Sequence, residues 1–162
     1  MAETKVKYSG AGTAITCTLN SLAASATVGR QSTAVDNTSN LYDDAIVTAI
    51  ISTSASALAA PNAVYCYIAG EWDAVPSYDQ DTAVMGASDA AYTIDAPTNL
   101  RLAAIINCST SSKVYNKSFS VAQACGGVMP AKWIVVIVNN TGQALLGSGN
   151  SLSYCGLTFT TV

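Results

Sequence analysis

Polar and apolar residues in this chain trade places at every second position, a spacing that suits strands and not helices. In NAVYCYIAG, residues 62–70, Val64, Cys66 and Ile68 fall on one face while Tyr65 and Tyr67 fall on the other. TAITCTL, residues 13–19, sets Ile15, Cys17 and Leu19 against Thr16 and Thr18. TNLRLAAIIN, residues 98–107, places Leu100, Leu102, Ala104 and Ile106 together, with Arg101 pointing away. Each is the pattern of a strand with one face on a core and one toward water, as antiparallel sheets require.

Two stretches depart from strict alternation. DAIVTAIIST and WIVVIV are apolar at consecutive positions, which marks central strands covered on both sides. WIVVIV, residues 133–138, runs into Asn139, Asn140, Thr141 and Gly142, a turn whose Asn and Gly accept positive φ. In the final segment SLSYCGLTFTTV, Leu152 and Tyr154 share one parity and Leu157 and Phe159 the other, which predicts a β-bulge near Gly156. Clusters of Ser, Thr, Asn, Gly and Pro separate about eight to ten such segments, the layout of an all-β fold. The expected architecture is a single-domain antiparallel β-sandwich of jelly-roll type with little helix. One helical turn is expected at SVAQAC, before Gly126 and Gly127. Residues 1–12 read as an N-terminal arm that gains order on a partner, and residues 13–162 as the sandwich. The irregular stretch 69–91 gathers Glu71, Asp73, Asp79, Asp81 and Asp89 and is expected as a surface loop at one end of the sandwich.

Only 10% of the residues are charged, against about 25% in an average soluble domain, while Ser and Thr outnumber the charged residues about two to one. Such a surface is neutral and hydrogen-bonding, and copies of it repel one another little. The net charge of −3 is spread out and the cations form no block, so nucleic acid has no electrostatic footprint to bind. No apolar run is long enough to span a bilayer as a helix, and MAETKVKYSG lacks the basic and apolar run of a secretory signal. The expectation is therefore a protein made in cytosolic conditions, with neither membrane nor nucleic acid as partner.

No catalytic signature stands out. Histidine is absent, and there is no nucleophile elbow, P-loop or dinucleotide glycine pattern. Cys17, Cys66, Cys108, Cys125 and Cys155 are scattered, with no C-x-x-C pair, and read as small buried hydrophobes. The expectation is no enzyme, no cofactor and no metal. Three weaker patterns remain: the loop acids, with Asp43 and Asp44, as a hydrolase pair; Asp79 and Asp81 as part of a calcium loop, although the third ligand and the glycine of that motif are missing; and Trp72 and Tyr78 as a sugar-stacking pair with Asp79 and Asp81 accepting hydroxyls. Tyr65 and Tyr67, outward on their strand, are candidates for protein contact, as are Lys5, Lys7 and Tyr8 on the arm.

Three segments taken together, GRQSTAVDNTSNLYDDA (29–45), APTNLRLAAIIN (96–107) and FSVAQACGGVMPAKWIVVIVNNTGQAL (119–145), resemble a group of small tailed-bacteriophage virion structural proteins, most of all capsid decoration, or cement, proteins. The resemblance extends over most of the chain from about Thr13. It implies a β-sandwich that binds the major capsid protein on the outer capsid surface and stabilises it. It further implies a homotrimer at three-fold positions, synthesis in the host cytoplasm and residence in the virion. It supplies no catalytic residues. A carbohydrate-binding or host-adhesion module of a phage tail, resting on Trp72, Tyr78, Asp79 and Asp81, is the alternative.

Overall fold

The computed structural model describes residues 3–72, 77–81 and 83–161. Two antiparallel sheets face each other. The first has the order β1 (Thr4–Tyr8), β11 (Ser151–Thr161), β5 (Asp44–Ser52), β9 (Val114–Ser120), with β2 (Thr13–Ile15) also on β11. The second runs β7 (Ala90–Thr93), β3 (Val28–Gln31), β10 (Lys132–Asn140), β6 (Ala63–Glu71), β8 (Arg101–Asn107), with β4 (Val35–Asp36) also on β10. Taking β1 with β2 and β3 with β4 as single interrupted strands, and setting β7 aside as an addition at an edge, leaves eight strands ordered 1-8-3-6 and 2-7-4-5. That interleaving is two Greek keys wound together, a jelly roll.

The main core lies between the sheets, where Ile15, Val47, Ile51, Val64, Ile68 and Trp133 are buried. Trp133 meets Tyr154 edge-on, with ring centroids 5.4 Å apart. The two-sided apolar pattern of residues 133–138 has a direct counterpart. Trp133, Val135 and Ile137 of β10 enter the main core, while Ile134, Val136 and Val138 enter a second one on the far side of the sheet. That second core is built by the segment between β6 and β8: Tyr78, Met85, Tyr92, Ile94 and Leu100 lie over the outer face of the second sheet. The irregular stretch therefore does not cap one end of the sandwich. It covers a face, because β10 presents an apolar row there that water would otherwise meet.

Two features of register depart from the sequence reading. The predicted bulge near Gly156 is not in the β5–β11 ladder, which runs unbroken from Ser151↔Ile50 to Leu157↔Asp44. The interruption falls on the other flank of β11, where the chain leaves β1 at Tyr8↔Leu157 and rejoins as β2 at Thr13↔Tyr154. Gly156 is required for a different reason: a Cβ there would lie 2.4 Å from the Tyr42 ring. A register shift does occur in β8, between Cys66↔Ala104 and Tyr67↔Leu102. Ala103 is the extra residue. It turns Leu102 out of the face shared by Ala104 and Ile106, so Leu102 is half exposed while those two enter the main core.

The expected helical turn is present as α1 (Val121–Ala124), capped by the Ser120 hydroxyl, which accepts from the Gln123 amide at 2.9 Å. Asp44 ties it to β5 by accepting from the Ala122 amide at 2.9 Å. β5 is central in its sheet, but only one of its faces is fully buried; Ile46, Thr48 and Ile50 are half-buried.

Candidate functional site

The arm expected to await a partner forms β1 on the chain's own last strand. β11 outruns β5: its last pair with that strand is Leu157↔Asp44, and beyond it β1 is the strand that pairs with β11. A two-stranded ribbon therefore projects from the sandwich. All five residues of β1 are exposed. Alternation divides the ribbon into two faces. Val6 lies opposite Phe159 and Tyr8 opposite Leu157 on one; Lys5 opposite Thr160 and Lys7 opposite Thr158 on the other. Val6, Tyr8 and Phe159 are 49%, 63% and 56% exposed, an unusual concentration of apolar surface on one short element. The base of the ribbon is clamped: the Ser9 amide donates to the Gly156 carbonyl at 2.8 Å, the Gly156 amide to the Ser9 hydroxyl at 3.0 Å, and the Phe159 amide to Asp43 Oδ2 at 2.6 Å. Lys5 sits 3.8 Å from Glu3, an exposed pair that contributes little.

Tyr65 and Tyr67 stand on the outer face of the second sheet with ring centroids 6.4 Å apart. They are half-buried at the margin of the second core. Burial raises the Tyr67 phenol above its ordinary value, helped by Tyr65 and Asp81. Across the ladder, Tyr65 pairs with Ile105 and Tyr67 with Leu102.

The residues named for sugar stacking do not converge. Trp72 is 42% exposed and lies beside Asp79, to whose Oδ2 its indole donates at 3.4 Å. The Arg101 guanidinium is over the Trp72 ring, 5.6 Å from its centroid, and its Nε donates to the same Asp79 oxygen at 3.1 Å. Trp72, Asp79 and Arg101 thus brace one another. Tyr78 is turned into the second core, and its phenol is pushed up to about 12 by burial and by the neighbouring Glu71 carboxylate. Asp81 accepts from the amides of Asp95 and Asn99 and from the Thr98 hydroxyl, holding the turn before β8. Among the described residues no group of three metal-binding side chains is present. Asp73 lies outside the described residues.

The remaining acids are also engaged. Asp89 accepts from the Arg30 Nε and from the amide and hydroxyl of Thr18. Burial pushes its carboxyl up, but these hydrogen bonds outweigh that and hold it below the ordinary carboxylate range. Glu71, 3% exposed, pairs with Lys132 at 3.3 Å. Lys132 faces Glu71 across one ladder and Asp36 across the other, giving a row of alternating charge that lines a groove of about 390 Å³ with Tyr78 and Met85. Sequence spacing did not reveal this row, because its members are distant in the chain and only register aligns them. Burial raises the thiols of Cys17 and Cys66 to about 12 and those of Cys108 and Cys125 to about 11, so none of the four holds a thiolate near neutral pH. No protein family, no curated protein and no solved structure matches this chain.

Proposed function

We propose that this protein is a non-enzymatic structural component of a bacteriophage virion, a decoration protein that binds the outer surface of the capsid and stabilises it. The observation that carries the reading is the projecting β1–β11 ribbon. A hairpin-like pair of strands standing free of its sheet is marginal by itself, and this one exposes Val6, Tyr8 and Phe159 along one face. Such an element gains stability when something covers it. The neutral, hydroxyl-rich surface is a second support, since a protein that packs into a dense lattice benefits from surfaces that do not repel. The acids and thiols described above are engaged in ion pairs, backbone caps or the core. The partner in this reading is the major capsid protein, with further copies of the chain as neighbours. The protein would then reside at the capsid surface after synthesis in the host cytoplasm.

Purified particles test it. The protein is expected in stoichiometric amounts on capsids, and removal of residues 2–10 is expected to lower its occupancy, measured by gel densitometry, while the melting temperature of the free sandwich changes little. Because the ribbon's contact face is apolar, raised salt should leave the intact protein bound. Absence from capsids, or recovery only with tail fibres, overturns the assignment. In the latter event, glycan binding that is lost in Trp72→Ala would support the tail-adhesion alternative.

A further inference from the structure

Among the described residues β1 pairs with β11 alone, and none of its five residues belongs to either core. Its departure breaks one ladder and unpacks nothing else. The joint that carries it is overlong. The Ser9 amide donates to the Gly156 carbonyl, which sets Ser9 opposite Gly156, and Thr13 lies opposite Tyr154. Gly10, Ala11 and Gly12 therefore span the single position of Cys155, two residues more than a continuous strand needs. Gly10 stands at φ +108°, which glycine adopts without strain, and a Cβ there would meet nothing within 4 Å. Spare length and a permissive glycine together make a hinge. We infer that β1 is an exchangeable strand: it leaves its own β11 and pairs, in the same register, with the β11 of a second copy of this chain, which lends its β1 in return.

The ladder identifies the occupant. On β11, Val6 lies opposite Phe159 and Tyr8 opposite Leu157, while Lys5 and Lys7 each face a threonine. An exchanged β1 makes these same pairs and carries the Ser9 clamp with it, so the exchange relies on no further surface between the copies. Pairing of β1 with a second β1, antiparallel about Val6, would instead set Lys5 opposite Lys7, and like charges directly opposite disfavour it. Because the bonds made and broken are alike, concentration sets the balance. A short joint holds the arm near its own β11 at an effective concentration on the order of millimolar, so exchanged copies accumulate as the chains approach that density.

The inference concerns the free protein and does not rest on attachment to a capsid. Val6→Cys and Phe159→Cys, at exposed positions that face each other in the ladder, place the two thiols on separate chains. When the two variants are mixed and oxidised, a disulfide between residues 6 and 159 of different chains is expected, located by peptide mass mapping. Its yield should rise about tenfold from about 10 µM to about 100 µM protein, as mass action requires while exchanged chains are the minority. Lys5→Cys in place of Val6→Cys puts the thiol on the other face of β1 and should give little crosslink. Removal of Gly10 and Ala11 makes β1 continuous with β2 along β11 and should abolish the crosslink between chains. In that shortened chain, Val6→Cys combined with Phe159→Cys should still close a disulfide within one chain, which establishes that the ladder is formed. A yield between chains no higher than the Lys5→Cys control, a crosslink that survives the deletion, or failure of the shortened double variant to close overturns the inference.

Discussion

The outer faces of the two sheets differ in how they are covered. That of the second sheet is largely covered by the chain's own excursion, which places Tyr78, Met85, Tyr92, Ile94 and Leu100 on Ile134, Val136 and Val138. That of the first sheet carries no second core among the described residues. Its outward positions include Ile46, Thr48, Ile50, Ser118, Ser151 and Ser153, none of them charged. The lesson is that a single jelly roll can hold one sheet with a core on each side and another with a core on one side only. The strand sequences record which is which. β10 is buried at every position from Trp133 to Val138, whereas β5 alternates between buried and half-buried. At the rim of the first sheet, Lys117 lies opposite the buried Ala49, so a charge sits on the core side of the β9 edge. An inward-facing lysine of this kind opposes strand addition.

The largest test of this comparison is to hollow out each side in turn. Ile134→Ala, in the second core, is expected to lower unfolding stability by about 2–5 kcal/mol, the range for deleting a fully buried aliphatic side chain. Ile50→Ala, on the half-buried face of the first sheet, should lose far less, about 1 kcal/mol. Urea midpoints measure both, and equal losses would mean that the excursion is a loose cover and not a core.

Close approach between strands gives the next effect. A Cβ on Gly29 would lie 2.5 Å from the Ile137 carbonyl oxygen, a backbone atom of the neighbouring strand that cannot turn aside. Gly29→Ala should therefore destabilise by about 1–3 kcal/mol through overpacking. The equivalent change at Gly86, whose Cβ would meet nothing within 4 Å, should be nearly neutral. Thermal melts of the two variants sharpen the comparison between the sheet and the loop that covers it.

The way the excursion is fastened predicts an acid-sensitive component. Asp89 joins the segment before β7 to Arg30 and Thr18, and its carboxyl is held below its ordinary value. A group whose folded pKa is depressed contributes stability that is complete above the unfolded carboxyl range and is lost as pH falls toward the folded value. The urea midpoint should thus decline below about pH 4–5, and less steeply in Asp89→Asn, which should also lose about 1–3 kcal/mol at neutral pH. Parallel pH profiles for the two proteins would assign the acid sensitivity to other groups. The smallest effect belongs to the outer face of the first sheet. Ser118→Ala removes a solvent-facing hydrogen bond to Thr48 of 2.9 Å and should change stability by no more than about 0.5 kcal/mol.

Period-two alternation was sufficient to place most strands, because side chains on a strand must alternate whatever the partner strand is. It located Ile15, Cys17 and Leu19 on the core side of their segment, and the unbroken apolar run at residues 133–138 identified a central strand. The helical turn at α1 was legible from Ser120 and the glycines that follow. Where a count of parity had to cross an irregularity, it failed. Leu100 and Leu102 were grouped with Ala104 and Ile106, yet Leu100 enters the second core and Leu102 is exposed, because the extra residue at Ala103 leaves no mark in composition; it is defined only against Cys66 and Tyr67 of the neighbouring strand. At Gly156 the change of parity needs no bulge, because β11 runs on without a break and Leu157 and Phe159 lie on its other face, opposite Tyr8 and Val6.

What the sequence determined by itself was the class of fold and the two-sided nature of β10, since both follow from the local geometry of an extended backbone. What only the tertiary structure decided was which segment covers β10, where the pairing slips, and which apolar side chains are left outside. Tyr78 and Trp72 show the difference, six residues apart in one acidic stretch: one is buried on the sheet and the other lies exposed beneath Arg101. Their surroundings are made by strands far away in the chain, and contacts between distant segments leave no periodic trace in the segments themselves.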